Sequence, residues 1–146
     1  MNPETLSSWQ VWAVLSAVFA ALTAIFAKVG VEGINSDFAT LIRTLIVLIT
    51  LSLILLASGQ LTNPGPISLK SWIFLILSAL GTGASWLCYF RALMLGPATL
   101  VAPIDKLSVV LVAVFGVVFL GERPSPYGWV GIVLIAAGAV LIAAKG

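Results

Sequence analysis

Arg43, Asp105 and Lys106 lie inside stretches otherwise apolar enough to cross a bilayer. A charge at membrane depth costs roughly 2.5–3.5 kcal/mol on insertion scales, so each needs a partner or a task. The chemistry open to them is ion binding and proton exchange. Asp105 can take up and release a proton or hold a cation. Arg43 can keep that carboxylate ionised or bind an anionic solute. Asp105 and Lys106 are consecutive, so on a helix their side chains point about 100° apart, and each is expected to find a partner elsewhere. Two bland alternatives stand beside these roles: a structural pair of Asp105 with Arg43 or Arg91, and snorkelling of Lys106 to the interface.

Uncharged residues extend the set. Thr82, Trp86 and Tyr89 form a polar-aromatic stripe suited to lining the path of a small solute, although aromatics near the end of a span also form interfacial belts. Pro103 lacks an N–H. If its helix starts a turn or more upstream, the carbonyl near Thr99 loses its donor and needs protein, water or solute beside it. In the first turn of a helix the same proline would cost nothing.

Other chemistry is excluded by what the chain lacks. It has no histidine and one cysteine, Cys88, so a Cys/His metal site or an internal disulfide cannot form. Only Asp105 among the carboxylates falls inside a span, which leaves no acid–base pair, and Ser85 and Ser108 have no histidine base. The sequence therefore reads as a non-enzyme with no cofactor and no metal. Hydrophobic residues make up 61% and charged residues 8% of 146 residues, against about 25% charged in soluble domains. A net charge of +2 without a basic cluster argues against nucleic acid as a partner.

The elements that must position these residues are five apolar segments, about 9–27, 38–57, 71–90, 98–120 and 127–144. Each meets the length of a membrane-crossing helix, roughly 17–25 residues. The runs are continuous rather than alternating, so helices are expected, in an all-α integral membrane protein. The connections are short, so residues 1–146 read as a single domain. The leader MNPETLSS carries Glu4 and no Lys or Arg, and the run after it exceeds a signal core, so the first segment reads as a retained span. Small residues recur at helical spacing: Ala13, Ser16, Ala20, Thr23 and Ala27 in the first span, Ser78, Gly81, Ser85 and Cys88 in the third, and Gly128, Gly131 and Gly138 in the fifth. Such stripes serve close helix packing or form cavity walls. Five crossings put Lys28, Glu32, Asp37, Arg43, Arg91, Asp105, Lys106 and Lys145 on or near one side, as a charged vestibule. The other side holds Glu4, Lys70, Glu122 and Arg123. The Lys/Arg count weakly favours an outside N-terminus, and without the buried Arg43 and Lys106 it is nearly balanced, as in chains that insert both ways.

From Arg91 onward the pattern RALMLGPATLVAPIDKLSVVLVAVFGVVFLGERPSPYGWVGIVLIAAGAVLI resembles the EamA domain of the drug/metabolite transporter superfamily. The likeness rests on the aromatic-rich third span, the Gly96-Pro97-Ala98 turn, Pro103 opening the fourth span and the Leu120-Gly121-Glu122 stop. The glycine-rich fifth span and Arg43 early in the second add to it. The resemblance implies one five-span repeat where many members carry two in inverted orientation. It implies a half-size secondary transporter of a small metabolite or drug-like solute in the cell (inner) membrane of a bacterium or archaeon. Its partners would be membrane lipid, the solute, and a second copy in an antiparallel homodimer or another half-size subunit. Arg43, Trp86, Tyr89, Pro103, Asp105 and Lys106 are the residues expected to bind substrate or couple an ion, with Glu122 at a helix end near Arg123. A lipid or lipid-linked sugar flippase, and a non-transporting assembly subunit, are the rival readings.

Overall fold

Within hydrocarbon every backbone N–H and C=O must find a partner in the protein, which leaves the helix as the element for an uninterrupted apolar run. The computed structural model of the chain follows this rule. It describes residues 9–62 and 65–145, so Glu4 and the leader lie outside the described residues, as does the side chain of Lys145. Six helices occur among them: α1 (Trp9–Gly30), α2 (Ser36–Ala57), α3 (Leu69–Leu95), α4 (Ala98–Asp105), α5 (Ser108–Leu120) and α6 (Pro126–Lys145). Among the described residues there is no strand. Counting α4 and α5 as one interrupted crossing, five spans are long and apolar enough to traverse a membrane.

The helices run past the apolar runs that announce them. α3 continues through Arg91 to Leu95, 27 residues in all, or about 40 Å at the helical rise, enough to reach into the headgroup regions. Termini are set by local chemistry. Asn35 caps α2, its Oδ1 accepting from the N–H groups of Asp37 and Phe38 at 2.9 and 3.1 Å. Ser68 accepts from Ser71 N–H at 3.0 Å at the start of α3, and Ser125 from Gly128 N–H at 3.1 Å at the start of α6. α5 ends where Gly121 turns left-handed at φ 69°, which lets Glu122 N–H reach back to the Gly116 carbonyl at 3.0 Å. The Glu122 side chain then folds over Gly116. This is the Leu-Gly-Glu stop resolved into bonds.

The chain divides into two units. One comprises the chain up to Phe26 and from Gly96 onward, where α6 packs against α4 and α5 and Ala24, Gly116 and Ala139 are buried. The other runs from Ala27 to Leu95, with α2 packed on α3. Its most buried side chains are Leu93 and Val31, followed by Phe90, Ser36, Thr40 and Ala39; they fall just after α1, at the start of α2 and at the end of α3. Only 6–11% of each span is buried within the chain, so lipid or another protein must cover the rest.

Most of the glycine stripe of α6 faces open space among the described residues. A Cβ at Gly131 or Gly138 would meet nothing within 4 Å, and the same holds for Gly81 in α3; only Gly128 faces neighbours, Ser125 and Pro124.

Gly121 and Gly116 make opposite predictions. Gly121→Val puts a β-branched residue in the left-handed region and should cost about 1–2 kcal/mol. At Gly116 a new Cβ would meet the mobile end of the Glu122 side chain at 2.8 Å, so Gly116→Ala should be tolerated. Thermal unfolding of the detergent-solubilised variants measures both.

Candidate functional site

Arg43 is the eighth residue of α2, roughly 10 Å along the helix from its start. It reaches across to α3, where its guanidinium carbon lies 4.0 Å from the Trp86 ring centroid and 5.7 Å from that of Phe90. Trp86 and Phe90 are four residues apart and so share a helix face. A cation over an aromatic face is attracted by the ring quadrupole, by about 2 kcal/mol where water is excluded. The rings satisfy charge but accept no strong in-plane hydrogen bond. Arg43 Nη1 is buried and, among the described residues, has no hydrogen-bond partner.

The other charges of this unit are engaged near the helix ends. Arg91 Nη2 donates to both carboxylate oxygens of Asp37 at 3.0 Å, with both side chains about half exposed. Lys28 Nζ donates to the Leu93 carbonyl at 2.6 Å, filling an acceptor in the last turn of α3, where a cation also complements the helix dipole. Two cations expected to line a vestibule thus hold helix ends, and Arg91 is matched to Asp37 rather than to Asp105. Thr82, exposed, donates to the Ser78 carbonyl of its own helix at 2.9 Å. Tyr89 is half-buried.

In the other unit the fourth crossing is broken. α4 begins at Ala98, with Pro97 as its cap, so Pro103 stands beyond the first turn and the bond that residue 103 would donate to the Thr99 carbonyl is missing. That settles the choice left open by the sequence. Three residues later the helix tightens. Lys106 N–H donates to the Pro103 carbonyl at 3.1 Å, Leu107 to Ile104 at 3.0 Å, and Val109 and Val110 to Lys106 and Leu107 at 3.0 Å each. These are i→i+3 bonds of the 3₁₀ type, and a mid-helix stretch of them often marks a hinge. Here the expectation for Asp105 and Lys106 fails: Lys106 Nζ donates to Asp105 Oδ2 at 3.2 Å. The 100° separation applies inside a regular helix, whereas Asp105 is the last residue of α4 and Lys106 its cap at ψ −7°. The long lysine stem closes the remaining gap.

The structure therefore brings Arg43 and Trp86 together in one unit, and Asp105 and Lys106 together beside Pro103 in the other. Phe90 is the site residue missed by the sequence reading, although its i+4 spacing from Trp86 was available as a signal.

Helical spans of this length and composition, with charges held at depth, define a multi-pass membrane protein, and similarity sharpens that class. The chain belongs to the EamA-like transporter family, whose model matches residues 7–144; this places it among transporters rather than enzymes. It is 62% identical over 93% of its length to a Sinorhizobium protein described as an uncharacterized transporter in the cobO 3′ region, covering 96% of that protein. A Bacillus subtilis protein described as uncharacterized transporter YxxF is 29% identical over 94% of the chain, which spans only 43% of it. A 74-residue stretch is 34% identical to the human magnesium transporter NIPA3, covering 18% of that protein. No solved structure matches.

Two comparisons of stability test this geometry. Asn35→Ala, which removes a helix cap, should cost about 1 kcal/mol, whereas Asp37→Asn, which breaks an exposed ion pair, should cost less than about 1 kcal/mol. A double-mutant cycle of Arg43→Gln with Trp86→Leu should return a coupling of about 0.5–2 kcal/mol. Chemical unfolding in detergent is the measurement for both; additivity of the cycle would remove Trp86 from the site.

Proposed function

We propose that the chain is a half-size secondary transporter for a small polar or amphipathic metabolite, working by alternating access in a pair with a second copy of opposite orientation or another half-size subunit. The observation that carries the reading is Arg43: a guanidinium inside a span, held over Trp86 with a buried donor that no group among the described residues accepts from. A purely structural cation is expected to be paired, as Arg91 and Lys28 are.

The remaining site residues take roles that fit their settings. Asp105, at the break of the fourth crossing, is the coupling carboxylate. Lys106 is the contact that an incoming proton or cation exchanges with. Pro103 supplies the irregularity about which α4 and α5 move, and Trp86 and Tyr89 line the solute path. Pairing is supported by the relative from Bacillus, of which this chain spans 43%, leaving room there for a second such repeat. It is also supported by the open glycine face of α6, since small residues let helices from separate chains approach closely. Among the described residues no three acidic, histidine or cysteine side chains come together, so nothing in this chain's own geometry extends to it the magnesium in the human relative's name.

Proteoliposome flux tests the coupling role. Asp105→Asn should abolish flux driven by a proton or sodium gradient while leaving exchange at equal gradients measurable. Gradient-driven flux equal to that of the unaltered protein would refute it. An accessibility assay on both termini should find both orientations in the membrane if the chain pairs with itself; a single orientation, with no second subunit, would exclude the antiparallel homodimer.

A further inference from the structure

Resting on the transporter reading above, we infer that Arg43 recognises its solute through a monoanionic carboxylate. The charge balance of the described spans points there. Arg91 is matched to Asp37, Asp105 to Lys106, and Lys28 to the Leu93 carbonyl. Arg43 instead faces two aromatic rings. A guanidinium carries five N–H donors in one plane and no acceptor, and an aromatic face neutralises part of its charge without filling the in-plane positions. Nη1 is such a position, buried and, among the described residues, without an acceptor, whereas the residue as a whole is only half-buried, which leaves the guanidinium within reach of a solute that displaces what covers Nη1.

The acceptor that fits is planar and negative. A carboxylate meets a guanidinium edge with two parallel hydrogen bonds, each strengthened by charge. One carboxylate balances one arginine. A phosphate monoester would bring close to two negative charges, more than one guanidinium balances. An ammonium or other cationic solute would be repelled, and an amide would satisfy a donor without cancelling the charge. Trp86 contributes by holding the guanidinium in one orientation, so less freedom is lost when the carboxylate docks.

The test uses the unaltered full-length protein in detergent, with thermal unfolding as the readout. Acetate, propionate, lactate and phenylacetate are compared at matched ionic strength with the corresponding amides and with methyl phosphate, since a bound ligand raises apparent stability by mass action. At least one carboxylate should raise the unfolding temperature in a saturable way while its amide does not. Arg43→Gln should weaken that binding roughly ten- to a hundredfold, with Arg43→Lys recovering only part of it because the fork geometry is lost. Failure of all four carboxylates, equal shifts from acids and amides, or a larger shift from methyl phosphate would each overturn the inference, and none of these requires a folded variant. Proteoliposome uptake of neutral, cationic and anionic solutes, run in parallel, separates the two claims. Uptake of neutral or cationic solutes with inert carboxylates sinks the carboxylate assignment and leaves transport standing. Saturable carboxylate binding with no uptake of any solute does the reverse.

Discussion

A guanidinium in a hydrocarbon layer must find its solvation in the protein, and the unit built from α2 and α3 is arranged around that requirement. Arg43 sits at the start of the third turn of α2 and is met by Trp86 and Phe90 on one face of α3. The same helices are tied together nearer their ends by Asp37 with Arg91. Lys28 joins the end of α1 to the end of α3 through the Leu93 carbonyl. These ties coincide with the unit's most buried positions, Val31, Phe90 and Leu93. Elsewhere the unit's spans turn apolar side chains outward. Packing and charge satisfaction are therefore concentrated at one end, where chain connections and ion pairs restrain the helices.

The second unit meets a different constraint. A helix interrupted at membrane depth exposes backbone groups, which must be satisfied locally or line a cavity. The break between α4 and α5 answers with a short run of i→i+3 bonds through Lys106 and Leu107, so the interruption leaves few groups unmatched. Pro103 prevents the regular ladder, and the tightened turn restores part of it.

Much of this was legible before any coordinates. The five spans follow from run length and composition, and the Leu120-Gly121-Glu122 stop follows from the left-handed preference of glycine. Arg43 and Trp86 were singled out because a charge and a polar-tipped aromatic are conspicuous among aliphatic residues. Long-range pairing was not legible. Arg91 and Asp37 are 54 positions apart, and nothing in their spacing says that they meet. The Asp105–Lys106 contact was misjudged because helical geometry was applied to a residue at which the helix ends. The glycines of α6 read as a stripe for close helix packing or for a cavity wall, and the space beside Gly131 and Gly138 is open; periodicity tells which residues share a face and not what that face meets.

The consecutive placement of Asp105 and Lys106 has an electrical consequence. Moving one elementary charge across a membrane potential takes about 2.3 kcal/mol per 100 mV, a large tax on any carrier whose mobile segment is charged. Here the break between α4 and α5 carries one negative and one positive group bound to each other at 3.2 Å. Displaced together, they transfer no net charge through the field. On the mechanism proposed above, a shift of α4 against α5 would then be voltage-silent.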